Sequence, residues 1–189
     1  MALLLETIKC LDGIVFHLPY HQKRVDDSRQ KLGMHSPLTL SINPPKTGMY
    51  RCRVIYEDQI LDIEYIPYEP KTPKSFKLIP SKIDYALKYE DRNELNDLFA
   101  KKEEADEIII IKNGFVTDTS IANICFYDGI QWVTPKTPLL KGTTRQRYLD
   151  EGKIHLADIS AENINKFSKI ALLNAMIDFH IIENAIITS

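Results

Sequence analysis

Residues 107–127 read EIIIIKNGFVTDTSIANICFY. An apolar run from Glu107 to Lys112 stops at Asn113-Gly114, a pair that supplies the positive φ angles of a tight primed turn, and residues 115–117 resume as its return strand. Residues 122–127 form a further strand; Asp128-Gly129 closes it and residues 131–133 turn back from it. Strands joined by such short turns pair antiparallel, so this stretch decides for a sheet rather than a bundle.

The same signals recur on either side. Residues 3–10, Asp12-Gly13 and residues 14–17 predict a hairpin, and residues 50–56, Asp58-Gln59 and 60–66 predict a second. Between them residues 19–32 predict a helix that Gly33 ends. Pro67, Pro70, Pro73 and Pro80 lie among lysines, a composition that suits neither a helix nor a central strand and reads as a linker. Beyond it, residues 91–104 are helical in pattern, with Leu95, Leu98 and Phe99 on one face; residues 142–148 and 161–167 begin helices; 170–173 and 181–187 read as strands. The expectation is an α+β fold in two lobes with largely antiparallel sheets: a small N-terminal lobe at 1–69, a linker at 70–82 and a larger C-terminal lobe at 83–189.

Composition removes several function classes. The formal net charge of -2 comes from interspersed acids and bases, as in Lys101-Lys102-Glu103-Glu104, so no basic stripe marks a nucleic-acid surface. Cys10, Cys52 and Cys125 are odd in number and far apart, which speaks against a disulfide framework or a zinc site and for a reducing compartment. The apolar opening at residues 1–5 stops at Glu6, short of a signal or a membrane span. A soluble, cytoplasmic protein is expected.

Candidate chemistry gathers where turns and strand ends fall: Arg24 on the first helix, Lys88 after the linker, Asp118 and Asn123 after a hairpin, and Gly142-Thr143-Thr144 at a helix start. The last could cradle an anion with free N–H groups and two hydroxyls, and it could equally be an ordinary cap. His17 and His21 are four apart but a strand-to-helix junction separates them, so no metal-ligand set is expected. No nucleophile elbow or phosphate-binding Walker loop is present.

In order, the chain carries Glu6-Thr7-Ile8 with Asp12-Gly13; His21-x-x-Arg24 with Ser28; Asp106-Glu107 with Gly114, Asp118, Ser120 and Asn123-Ile124; Thr134-Pro135 with Leu140, Gly142-Thr143-Thr144-Arg145; and Leu173-Asn174-Ala175-Met176. These five blocks resemble the class IV aminotransferase family, which includes branched-chain and D-amino acid aminotransferases and 4-amino-4-deoxychorismate lyase, and the resemblance runs from about residue 5 to about residue 182. It implies a PLP-fold trimmed at both ends: the strands and Gly-Asp-Gly that precede the first block in the family are lacking.

The resemblance also implies roles. Pyridoxal 5′-phosphate (PLP) would be the cofactor and Lys88 would form its Schiff base, with Lys82 a nearby competitor. Arg24 would grip the phosphate, helped by Thr143 and Thr144. Asp118 stands for the family's glutamate beside the pyridine nitrogen, one methylene shorter, and Asn123 would support the ring or strand geometry. Asp91 replaces the asparagine found three residues after the lysine, while the Arg92 spacing and the Leu173–Met176 block look more like the lyases. Thr7 and Asn174 are the candidate substrate contacts. The implied activity is 4-amino-4-deoxychorismate lyase, releasing pyruvate and 4-aminobenzoate, in a homodimer coupled in function to aminodeoxychorismate synthase. The alternatives are a branched-chain or D-amino acid aminotransferase, or a non-catalytic binding protein on the same fold.

Overall fold

The structure, a computed structural model, describes residues 3–188. The chain forms two compact units: residues up to Pro70 together with Leu87–Asp91, and Lys71–Ala86 together with the chain from Arg92 onward.

In the first unit, β1 (Leu4–Leu11) and β2 (Ile14–Val15) are joined through Asp12 and Gly13 at φ 50° and 81°. The helix α1 (Leu18–Lys31) ends at Gly33, whose φ of 77° lets the N–H groups of Gly33 and Met34 return to the carbonyls of Gln30 and Arg29. β3 (Met49–Tyr56) and β4 (Ile60–Pro67) complete an antiparallel sheet in the order β2-β1-β3-β4. Period-two alternation sets its core face: Leu4, Ile8 and Cys10 of β1 pack with Cys52, Val54 and Tyr56 of β3, Val25 of α1, and Leu40. Leu87 joins this core from the returning segment. That segment lies along β1: Leu5 N–H donates to Lys88 O (2.9 Å), Glu90 N–H to Leu3 O (2.9 Å), and Tyr89 bridges to Leu4.

The second unit contains β5 (Ser75–Pro80), α2 (Asn93–Phe99) continued by a 3₁₀ turn at Ala100–Lys102, β6 (Glu107–Lys112), β7 (Phe115–Thr119), β8 (Asn123–Tyr127) and β9 (Trp132–Pro135). It continues with α3 (Thr143–Asp150), β10 (His155–Ala157), a 3₁₀ segment at Ala161–Lys166, β11 (Lys169–Asn174), β12 (Asp178–Ile182) and β13 (Ile186–Thr188). The sheet order is β10-β9-β8-β7-β6-β5-β13, and β11 pairs with both β8 and β12. Most pairs are antiparallel; among the described residues the parallel ones are β5 with β6 and β13, and β9 with β10. β6 is buried from Glu107 to Ile111, which explains its unbroken apolar run: both faces of the strand are covered. Its core includes Phe76, Ile109, Ile124, Phe126 and Leu172.

The α+β, mainly antiparallel architecture is as expected, and both hairpins of the first unit stand where the turn pairs put them. Four sequence expectations need correction. The proline-rich stretch contains a central strand rather than being all linker. Pro73 lies before β5 and Pro80 is its last residue, so the interior Ser75–Ile79 keeps every N–H it needs between β6 and β13. Lys88 clusters with the N-terminal unit and not with the C-terminal lobe. The strand read at 181–187 is the end of β12, a turn at Asn184 (φ 55°) and β13. The helices read at 91–104 and 161–167 are a seven-residue helix with a 3₁₀ turn, and a 3₁₀ segment alone. Among the described residues no helix is long and apolar enough to cross a membrane.

Candidate active site

Alternation along β1 puts Glu6 on the same face as Leu4, Ile8 and Cys10, so a carboxyl enters the first core. It is fully buried and receives a two-point contact from Arg24: Nε donates to Oε1 at 2.7 Å and Nη2 to Oε2 at 2.6 Å. His21 Nδ1 lies 2.6 Å from Oε2. Burial alone would push this carboxyl up. The charge of Arg24 and the hydrogen bonds from His21 and Arg24 outweigh it and hold the group at about 2. His21 and Arg24 sit one helical turn apart on α1, which is how one helix face delivers both to one carboxylate. His17, by contrast, is the N-cap residue with φ 53°, turned out of that face.

Thr7 lies on the opposite face of β1, in register with Arg53 on β3, while Lys9 is in register with Arg51. Arg53 pairs with Glu64 and Glu90 (3.2 and 3.6 Å). Arg51 has its Nε buried with no hydrogen-bond partner among the described residues. Lys88 is half-buried, with its backbone pinned to Leu5; Lys82 is exposed. Of the two, Lys88 is the less exposed.

In the second unit, Asp118 at the end of β7 faces Asn123 at the start of β8 as a cross-strand pair. The carboxyl is fully enclosed: Oδ1 accepts from Asn123 Nδ2 at 2.6 Å and Oδ2 from Leu140 N–H at 2.8 Å. Burial pushes it up, and the Leu140 N–H, the Asn123 amide and the charge of Arg145 bring it back only to about 7. The other Asn123 amide proton goes to Leu140 O at 2.8 Å, so both are committed to protein. Asn123 therefore braces Asp118 against the 139–142 loop and has no amide hydrogen left for a ligand.

That brace explains Gly142. A Cβ at this position would lie 2.0 Å from Asn123 Oδ1, and only glycine admits the carboxamide. Gly142 is also the N-cap of α3, and no side chain caps the helix. The first N–H groups of α3, beside the buried Thr143 and Thr144, thus retain their capacity to bind an anion. Arg145 is buried against Pro135 O (2.7 Å) and Thr134 Oγ1 (3.3 Å), and Arg147 pairs with Asp178 and Glu151.

The structure brings Asp118, Asn123 and the α3 start into one network, and Asn174 reaches its margin. The Asn174 carboxamide accepts from Met176 and Ile177 N–H and donates to Ile121 O, shaping the turn after β11. Arg92 donates to Ser120 O at 2.7 Å and so steadies the turn between β7 and β8. Sequence reasoning gave no role to Glu6, His21 or the Leu140 N–H. The first was detectable as a carboxylate in an otherwise apolar period-two row; the last, a backbone group, leaves no trace in residue type.

The chain as a whole is similar to known proteins. The sequence model for "Amino-transferase class IV" matches residues 89–184. The chain is 39% identical to an uncharacterized protein of Haemophilus influenzae over 92% of this chain and 97% of the other. It is 36% identical to a solved structure from Haemophilus somnus described as a "putative 4-amino-4-deoxychorismate lyase", with a TM-score of 0.82 over 93% of this chain and 97% of that one. A Schizosaccharomyces pombe protein described as "Putative aminodeoxychorismate lyase" is 29% identical over 87% of this chain and 82% of its own. The chain belongs to the class IV aminotransferase family, whose cofactor is pyridoxal 5′-phosphate.

The residues fit that cofactor. Lys88 supplies a primary amine on a pinned backbone, and the uncapped start of α3 offers N–H donors to a phosphate dianion. Asp118 supplies the carboxylate that would pair with a ring N–H.

Proposed function

We propose that the protein is a PLP-dependent 4-amino-4-deoxychorismate lyase, releasing pyruvate and 4-aminobenzoate, a folate precursor. The observation that carries this reading is the 36% identity, over nearly the full length of both chains, to the Haemophilus somnus protein described as such a lyase. The internal pairing of Arg145 and Arg147 supports it, because neither is placed to exchange the carboxylates of successive amino and keto acids, as transamination requires.

In this reading Lys88 Nζ is the amine that would hold the cofactor; once freed it would take the proton from substrate C4, the C3–O bond would break as the ring aromatises, and the expelled enolpyruvate would take a proton at its methylene carbon to become pyruvate. The bound cofactor supplies the electron sink for the pair left at C4. Asp118 keeps the ring nitrogen protonated. Its carboxyl near neutrality means that a cationic ring N–H would pull it into the charged form. Arg24, Thr143 and Thr144 are the residues assigned to the phosphate oxygens. Thr7, on the face it shares with Lys9, Arg51 and Arg53, contacts the anionic substrate. The protein works as a cytoplasmic homodimer downstream of an aminodeoxychorismate synthase.

A coupled assay tests the reaction. With chorismate, glutamine and an aminodeoxychorismate synthase, 4-aminobenzoate and pyruvate should accumulate together. Their absence, with glutamate formed from amino acids and 2-oxoglutarate, would replace the lyase by an aminotransferase.

A further inference from the structure

A guanidinium presents its donors along two edges, and in Arg24 the Nε–Nη2 edge is committed to Glu6. We propose that Glu6 and His21 are positioning residues for Arg24, gripping it by that edge and so fixing the guanidinium that meets the cofactor phosphate. This rests on the reading that Arg24 binds the phosphate. It also alters that reading: the phosphate meets one edge of Arg24 and not its full Nε–Nη2 fork.

Three observations support a positioning role over a simple buried ion pair. First, the contact is two-point, one donor to each carboxylate oxygen, which restrains the guanidinium against rotation as well as translation. Second, the anchor is itself anchored: Glu6 stands on a strand paired on β3, and His21 contacts the oxygen that Arg24 Nη2 also uses, which holds the carboxylate against rotation. Third, Glu6 is wholly enclosed while the Arg24 side chain keeps 13% exposure. The pair therefore has a sealed anionic end and a cationic end that still reaches the surface of the unit. An unanchored arginine would lose rotamer freedom on binding an anion, and here that ordering is done before the ligand arrives.

The carboxylate also offsets the Arg24 charge, which gives the idea a sharp sign. If Glu6 only neutralised Arg24, its removal would strengthen phosphate binding. If it positions Arg24, removal weakens it. The test is titration of the apo-protein with PLP and, in parallel, with pyridoxal, which lacks the phosphate; the readout is the visible absorbance of the lysine adduct.

Arg24→Ala should weaken PLP binding roughly ten- to a hundredfold and leave pyridoxal binding unchanged. Glu6→Gln should weaken PLP binding about three- to tenfold, again with pyridoxal unchanged, and add nothing in the Arg24→Ala background. Pyridoxal binding doubles as the check of folding. If Glu6→Gln fails it, His21→Asn decides, since it removes one restraint and keeps the Arg24–Glu6 contact: a selective loss of PLP affinity supports the proposal and unchanged affinity overturns it. Unchanged or tighter PLP binding in a folded Glu6→Gln protein overturns it as well. Unchanged binding in Arg24→Ala would instead remove Arg24 from the phosphate, a failure of the underlying reading and distinguishable from the rest.

Discussion

Glu6 in the first unit and Asp118 in the second are both carboxyls closed off from water, and each accepts short hydrogen bonds on both oxygens. Glu6 ends at about 2 and Asp118 at about 7. The difference lies in the donors. Glu6 is met by a guanidinium along a whole edge; Asp118 is met by two neutral amides, with Arg145 acting only through its charge. Glu107 repeats the second pattern: buried, bonded by the N–H groups of Ile108 and Ser120, and pushed up by burial with the Arg92 charge a minor counterweight. Neutral donors make a buried carboxyl tolerable, and a cation in contact makes it an anion. One unit thus holds a charge that is permanently set, and the other a charge that a ligand can set.

The comparison breaks most visibly at Glu6. Glu6→Ala strands Arg24 and His21 beside an emptied pocket, and removal of one partner from a buried pair costs about 3–5 kcal/mol. Urea unfolding should show a loss in that range; a loss under about 1 kcal/mol would mean that the contact is not maintained in solution.

The pH dependence of stability should separate the two carboxyls. Asp118 is raised from the usual 3.8 to about 7, so between those values the folded protein keeps a proton that the unfolded chain has released. Its contribution to stability is full below about pH 4 and falls as pH rises to about 7, by on the order of 4 kcal/mol. Glu6 is lowered from 4.5 to about 2, so its contribution is present above pH 4.5 and lost as pH falls toward 2, by about 3 kcal/mol. Denaturation of the apo-protein across pH 4–7, set against Asp118→Asn, isolates the first slope, because the variant has no carboxyl to titrate whatever its own stability. Parallel curves for the two proteins would contradict the assignment.

The smallest effect concerns the brace. Gly142→Ala drives a Cβ into Asn123 Oδ1, and overpacking of this kind costs about 1–3 kcal/mol. Because Asn123 also holds Asp118, the same substitution should weaken PLP binding, unlike an equal loss of stability placed elsewhere. Calorimetry with a PLP titration checks both.

How much of this the sequence disclosed depends on distance along the chain. Asp12-Gly13 and Asn113-Gly114 specify their hairpins within a few residues, and the motif blocks brought Asp118, Asn123 and Gly142 forward together. β5 stayed hidden because both its partners are parallel strands, which no turn announces, and because its flanking prolines outweighed the Ser75–Ile79 interior. Lys88 was singled out by motif, but nothing in residues 81–91 signals a return to β1. Glu6 was legible as buried; that its cation would come from α1 was not, since this needs the packing of a helix on a sheet.

The chain passes between the two units after Pro70, after Ala86 and after Asp91. For a protein made from its N-terminus on a ribosome, this sets an order of events. The first unit cannot be sealed when Pro70 emerges, because Leu87 and the strip that pairs with β1 have not yet emerged. By the time they emerge, β5 is already outside the tunnel with Phe76 and Ile79 uncovered, while β6 is still inside it and β13, the last described strand, has yet to be made. The nascent chain must therefore finish its first unit with a bare strand of the second held in a loop beside it, a natural point of call for a chaperone.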